Sequence, residues 1–193
     1  MRVFIIILIL IFSLQSWTKA DDLKDFQIEG MSIGDSVLDL FTKDYIKKRS
    51  KFVVRGGKKF EEYSKILIKK DLSNYDSIFI YFKTNDKKFI IKSIAGRKFY
   101  SDNLSECYDQ QKKIANQIED NILNTKGRYY PKEKVRAFPE GDSYLTQIWF
   151  DAVGGHIGIQ CYDYSSKDTT TRDRLSLVIF SLEYNSWLSS HKF

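Results

Sequence analysis

Histidine and cysteine are scarce in this chain of 193 residues, which contains two of each. The histidines are His156 and His191, and the cysteines, Cys107 and Cys161, lack the close spacing that zinc ligands show in a sequence. No calcium-loop pattern surrounds the acidic residues either. We therefore predict neither a metal site nor a cofactor.

Motifs that carry catalysis are also missing. The chain has no Gly-x-Ser-x-Gly elbow, and the stretch from Arg55 to Lys59 lacks the spacing of a phosphate-binding loop. Glu61 and Glu62 are adjacent on an expected strand, so their carboxylates point to opposite faces and cannot converge on one bond. The sequence therefore predicts a protein that is not an enzyme.

A long apolar run occurs only at the start of the chain. Arg2 precedes the apolar residues 3–12, and Ala20 is followed by the acidic Asp21. A positive end, a short apolar core and a small residue at the cleavage point are typical of a secretory signal. We predict a signal peptide over residues 1–20, cleaved after Ala20. The alternative is an uncleaved membrane anchor.

Such a leader predicts a periplasmic or secreted protein that is not integral to the membrane after cleavage. Residues 21–193 have the length of a single domain. An oxidising compartment favours pairing of the two cysteines, so we predict a disulfide between Cys107 and Cys161. Two buried thiols are the alternative.

Acidic residues do not balance the basic ones. There are 31 Lys and Arg against 25 Asp and Glu, a net charge of +6. This excess is too small for a dedicated nucleic-acid binder, so no nucleic-acid partner is predicted. One basic stretch is suited to an anionic envelope surface, with a solvated edge as the alternative. It comprises Lys47, Lys48, Arg49, Lys51, Arg55, Lys58 and Lys59.

The first half of the domain reads as helix followed by strands. Ser32 and Asp35 have the spacing of a helix cap, which predicts a helix over residues 32–41. Thr42 is placed to cap a second short helix that ends near Lys48. β-branched and aromatic residues then predict three strands, over residues 60–69, 77–84 and 88–99.

The second half repeats that order. A long helix is predicted to begin at Asn103 and to end at Gly127, with Cys107 on its apolar face. Strand patterns return over residues 134–138 (weakly), 144–152, 156–164 and 175–184. Alternation along the third of these places Cys161 on the inner face, where a bridge to the helix would need it.

This element order predicts an α+β fold. It favours either tandem helix-plus-three-strand units, with halves 21–100 and 101–193, or one wide antiparallel sheet with helices on one face.

Gly30, Met31 and Ser32, followed by Val37 and Leu40 and then by a strand meander, resemble the Gly-Met-Thr helix entry of small bacterial envelope proteins. These are the SmpA/OmlA (BamE-like) lipoproteins and the related fold of the β-lactamase inhibitor protein. The resemblance implies a helix-pair-plus-three-strand unit that binds other proteins and lacks catalysis. The whole chain also looks like uncharacterised secreted proteins of bacteria with AT-rich genomes.

Together these patterns predict an exported, non-catalytic binding protein of the bacterial envelope. Its partner is another envelope protein or the anionic envelope surface. The alternative is a binder of small molecules or lipids that uses a cleft between the long helix and the sheet. Aromatic side chains are candidates for lining a groove or a partner surface: Phe79, Tyr81, Phe180, Tyr184 and Trp187.

Overall fold

The structure is a computed structural model. It describes residues 23–55, 57–100, 104–121, 126–134, 143–164 and 172–191. The predicted signal peptide, the cap at Asn103 and most of the strand predicted over 134–138 lie outside the described residues.

Eight strands form one antiparallel sheet, which confirms the α+β class with an antiparallel sheet. The helices are α1 (Lys43–Arg49), α2 (Leu104–Asn121) and α3 (Leu182–Ser190). The strands are β1 (Lys51–Arg55), β2 (Lys58–Ile68), β3 (Ser77–Lys83), β4 (Ile91–Phe99), β5 (Arg128–Lys134), β6 (Tyr144–Ala152), β7 (Gly155–Asp163) and β8 (Arg174–Ser181).

The strand order is β1-β2-β3-β4-β8-β7-β6-β5. Each half of the sheet is therefore a run of four consecutive strands joined as neighbours. The two runs meet at the centre of the sheet, where β4 and β8 pair antiparallel from Ser93 with Phe180 to Phe99 with Arg174. Both halves of the chain thus contribute to the middle of each sheet face.

One face of the sheet, which we call the covered face, carries the main core. Isoleucines alternate along the strands on this side, as a half-buried strand requires, and they are almost fully buried. They include Ile66, Ile80, Ile94, Ile157 and Ile179, each no more than 1% exposed. Ile46 of α1 and Ile118 of α2 complete this core.

The predicted bridge is present between Cys107 of α2 and Cys161 of β7, with their Cα atoms 6.1 Å apart. Next to it, the Gln111 side chain donates to the carbonyls of Thr146 and Ile159 and accepts from the Thr146 hydroxyl. A buried amide without partners would be costly, so these bonds allow a polar residue inside the interface. The disulfide prediction is confirmed.

The helix predicted over residues 32–41 is wrong. Asp35 accepts a hydrogen bond from the Ser32 amide at 2.7 Å, as a cap would. However, Gly34 has a φ of +98°, which ends helical geometry there. The Gly34 and Val37 amides instead donate to the carbonyls of Ile91 and Phe89, and only a 3-10 turn remains over Val37–Asp39. The short helix after Thr42 is confirmed.

Two further elements differ from the sequence prediction. The strand predicted over 175–184 ends at Ser181, whose hydroxyl accepts from the Tyr184 amide and so begins α3. Since α3 packs on the side opposite to α2, the helices do not share one face of the sheet. Strand β1 was not predicted, and β5 lies before the strand predicted weakly over residues 134–138.

Leu23, the first described residue, is docked against the second half of the chain. It is 1% exposed, and its amide donates to the Val153 carbonyl at 3.0 Å. The Leu182 amide donates to the adjacent Gly154 carbonyl at 2.9 Å. The β6–β7 turn therefore holds both the start of the described chain and the start of α3. Among the helices described, none has the length and apolarity to cross a bilayer.

Candidate functional site

The face of the sheet opposite to the core is only partly covered. Helix α3 packs on Tyr63 of β2 and Tyr81 of β3, and the strands beside it form the floor of a groove of about 1170 Å³. We call this the open groove. Its lining includes Arg97, Tyr130, Trp149, Tyr162, Arg174 and Phe180.

Helix α3 forms one wall of the open groove through an aromatic cluster. The ring of Tyr63 lies 5.0 Å from Tyr184 and 4.8 Å from Trp187, measured between ring centroids. Burial raises the pKa of the Tyr184 phenol above its ordinary value. Outside the cluster, Glu183 pairs with Lys83 and, at 2.7 Å, with Lys92. The wall is thus fixed on the sheet by packing and by charge.

A chain of hydrogen bonds crosses the floor of the groove from β7 to β5. The Tyr162 hydroxyl donates to Gln160 at 3.2 Å, and Gln160 donates to Gln147 at 3.0 Å. Gln147 in turn donates to Glu133 at 2.6 Å. Because each amide is bonded on both sides, these polar side chains are held in place before any ligand arrives.

Trp149 lies across the floor and depends on a glycine. A Cβ atom at Gly158 would stand 2.4 Å from the indole ring, so the ring occupies the space that a side chain would fill. The indole nitrogen donates to Gln147 at 3.1 Å, and the ring centroid lies 5.4 Å from that of Phe180. The largest aromatic surface of the groove is therefore oriented and half-buried.

At one end of the groove, Asp151 joins a histidine and an arginine. The Asp151 carboxylate accepts from Arg128 through both oxygens and bonds His156 Nδ1 at 2.7 Å. Burial pushes the pKa of Asp151 up, but the bonds from Arg128 and His156 outweigh it and leave the pKa below its ordinary value of 3.8. The ring centroid of His156 lies 5.8 Å from that of Phe180.

At the centre of the groove lie two arginines that form no ion pair with any acid among the described residues. Arg97 of β4 is paired with Ser176 of β8, and Arg174 precedes Ser176 by two residues on the same face. Such diagonal positions are roughly 7–8 Å apart. The Nε atom of each guanidinium is buried and has no hydrogen-bond partner.

Aromatic rings hold both of these guanidinium groups. Arg97 lies 4.2 Å above the centroid of the Phe79 ring, and Arg174 lies 4.5 Å from Tyr162 and 4.9 Å from Tyr164. Burial, and after it the charge of Arg174, hold the pKa of Arg97 below its ordinary value. The two like charges are thus kept close together in a partly desolvated place, which costs free energy in the unliganded protein.

The aromatic residues singled out in the sequence divide between two roles. Tyr184 and Trp187 pack in the α3 wall against Tyr63, while Phe180 faces the floor beside Trp149. Phe79 supports Arg97 from below. Sequence reasoning missed the arginine pair, Trp149 and Tyr162.

The basic stretch from Lys47 to Lys59 is spread out rather than gathered. Lys47 and Lys48 are exposed on α1, whereas Arg55 donates to the Leu188 carbonyl at 3.0 Å and Lys59 pairs with Glu61 at 2.9 Å. Strand β1 separates these two groups by about 13 Å. Lys51, Arg49 and Lys58 lie between or beside them, and a role of these seven side chains at an anionic surface stays a prediction.

Within the described part of the chain, no three His, Cys, Asp or Glu side chains come together in a group able to hold a metal ion. The chain matches no protein-family model, no curated protein sequence and no solved structure. What the open groove does must therefore be inferred from its own residues.

Proposed function

We propose that this protein is a non-catalytic binding protein that receives a segment of another protein in the open groove. The observation that carries this proposal is the composition of the groove. Trp149, Tyr130 and Tyr162 stand there beside arginines and remain partly exposed. Trp, Tyr and Arg are the residues that dominate the binding energy of protein interfaces.

The shape of the groove supports a macromolecular partner. A small-molecule site usually encloses most of its ligand, whereas here the sheet supplies a floor and α3 supplies one wall. An extended segment of a protein can lie on such a floor and reach the side chains of several strands. The ordered amides of Gln147 and Gln160 would offer polar contacts along its length.

The alternative of a ligand cleft between α2 and the sheet has less support. Cys107 and Ala115 of α2 are fully buried there, and Ile118 is 4% exposed. The Gln111 side chain bonds β6 and β7 directly. That interface is therefore occupied by the protein's own side chains.

The proposal includes export to the bacterial envelope. The leader-like residues 1–20 motivate it, and the disulfide between Cys107 and Cys161 is consistent with an oxidising compartment. It also includes the interpretation of residues 21–100 and 101–193 as tandem units. The arrangement of the sheet as two runs of four strands supports this, because each run follows a helix in the chain.

Two neighbouring tyrosines of β5 allow a matched test. Tyr130 lines the open groove and is 45% exposed, whereas Tyr129 points to the other side and is 57% exposed. A photo-crosslinking amino acid would replace each in turn in living cells. We expect a discrete adduct with another protein from position 130, and none of the same mass from position 129. Equal adducts from both positions, or none from position 130, would refute the proposal.

A further inference from the structure

The arginine pair at the centre of the open groove is unusual because the part of the chain that the structure describes gives it no counter-charge. Among the described residues, the ion pairs join other side chains, and none involves Arg97 or Arg174. A buried donor that lacks a partner costs free energy, and native structures contain few of them. Two such donors, one on each guanidinium, lie here on adjacent strands.

A third arginine on the same face, Arg128, has an acidic hydrogen-bond partner. Arg128 forms two bonds with Asp151, and Asp151 also holds His156. Two acids of this face, Asp151 and Glu133, are thus engaged with other partners. Among the described residues, no carboxylate forms an ion pair with the central arginines.

The pair is also held ready for a ligand. The rings of Phe79, Tyr162 and Tyr164 fix the planes of the two guanidinium groups, so little side-chain entropy remains to be lost on binding. A planar guanidinium matches the two oxygens of a carboxylate in a forked geometry. An incoming anion would offset the repulsion between the like charges of the two guanidinium groups that line the groove.

We propose that Arg97 and Arg174 bind a carboxylate of the partner protein, carried by an Asp or Glu in the segment that lies in the open groove. This inference rests on the proposed function and names the chemistry of the segment. A carboxylate fits better than a polyanion because the rings of Tyr81 and Tyr162 lie beside the pair and Trp149 lines the same groove, and these rings would contact apolar neighbours of the acid.

The test uses a displayed library of short random peptides selected on the purified protein. We expect enriched sequences to carry an acidic residue next to aromatic or aliphatic ones. A synthetic peptide from the selection and its twin with Gln or Asn at the acid are then titrated against the protein. Loss of the carboxylate should weaken binding by at least about 30-fold, as expected when one partner of a buried charged pair is removed.

Variants of the protein locate the contact. Arg97→Gln and Arg174→Gln should each cause a similar loss of peptide affinity, whereas Arg128→Gln, at an already paired arginine of the same face, should change it less than about threefold. The melting temperature of Arg97→Gln should not fall, because the substitution removes a repulsion and an unpaired donor. Arg97→Lys keeps the charge and the aliphatic stem, and provides a folded comparison if the Gln variant unfolds.

The outcomes separate the two proposals. Selected peptides could lose affinity for the Trp149→Ala variant and yet bind the Arg97→Gln variant with the same affinity as the unchanged protein. In that case the proposed carboxylate site is wrong, and the proposal that the groove binds a protein segment is kept. If they are indifferent to both substitutions, the groove itself is not the binding face. Inorganic phosphate that raises the melting temperature through Arg97 and Arg174, with no acidic peptide enriched, would overturn the proposal in favour of a free-anion site.

Discussion

The two faces of this sheet are made by the same strands and yet differ in almost every physical property. Along β6, Phe150 is 1% exposed in the core, and its neighbour Trp149 faces the open groove. On the covered face the buried polar Gln111 has partners for its amide, whereas the open face keeps two arginine donors unpaired. The packing that stabilises the fold is concentrated on the covered face, and the unpaired hydrogen-bond donors lie on the open face.

The largest expected difference between the two faces comes from truncating two adjacent residues of β6, Phe150 and Trp149, one at a time. Phe150→Ala should lower the free energy of unfolding by about 3–5 kcal/mol, because it leaves a cavity in the core. Trp149→Ala should cost less, about 1–2 kcal/mol, because its ring is already partly solvated. Urea unfolding of both variants measures this. Equal losses would mean that the open face is as much a part of the core as the covered one.

The disulfide provides the next largest effect and belongs to the covered face alone. Replacing Cys107 and Cys161 together by Ala should lower the free energy of unfolding by about 2–4 kcal/mol, since the bridge closes a long loop. The sequence separation of the two cysteines is 54 residues. Peptide affinity of the folded double variant should be unchanged. A loss of affinity as large as the loss of stability would show that the two faces are coupled.

A smaller loss of stability is expected when Gly158, which lies beneath the indole ring of Trp149, is replaced. Gly158→Ala places a methyl group about where the Trp149 ring now lies, so the ring must move. Since a side chain can shift more easily than backbone, the cost in stability should be about 1 kcal/mol. Tryptophan fluorescence should change, and crosslinking from position 130 should decline. Unchanged fluorescence and unchanged crosslinking would contradict this account of the ring.

The smallest expected effect concerns the salt bridges that attach α3. Hydrogen bonds from Lys83, and then from Lys92, hold the pKa of Glu183 below its ordinary value of 4.5. A lowered pKa in the folded state contributes stability that is present above pH 4.5 and is lost as the pH falls through the folded-state value. Because Glu183 is 41% exposed, solvent screening limits the contribution to under about 1 kcal/mol.

Glu183→Gln should therefore destabilise the protein slightly at pH 7 and hardly at pH 3, which urea unfolding at the two pH values compares. Glu61→Gln, at an exposed acid paired with Lys59, is the matched control. A larger effect of Glu183→Gln in acid than at neutral pH would reverse the sign and refute the assignment.

Much of the covered face could be predicted from local patterns. Strand β6 was predicted with its observed bounds, and alternation placed Cys161 inward on β7, where the bridge to α2 is found. Helix α2 followed from its apolar stripe. In these segments the period of apolar residues and the burial agree, so the sequence alone is enough.

The open face could not be predicted in the same way. Arg97 and Arg174 come together only because β4 pairs with β8 in a particular register, and no local pattern contains that pairing. Helix α3 was missed because Leu182 and Tyr184 continue the apolar composition of β8, while the Ser181 cap is a single hydroxyl. The segment around Val37 forms a 3-10 turn and not the predicted helix. Its amides bond carbonyls near β4, and these hydrogen bonds compete with the helical ones.

The docking of Leu23 at the β6–β7 turn places the start of the described chain at one end of the sheet. Leu23 is held at the end of the sheet where β8 finishes at Ser181, whereas Arg174 begins β8 at the far end. Seven steps along a strand separate the two by about 23 Å. A label or surface tether attached at Leu23 would therefore lie about one strand length away from the arginine pair.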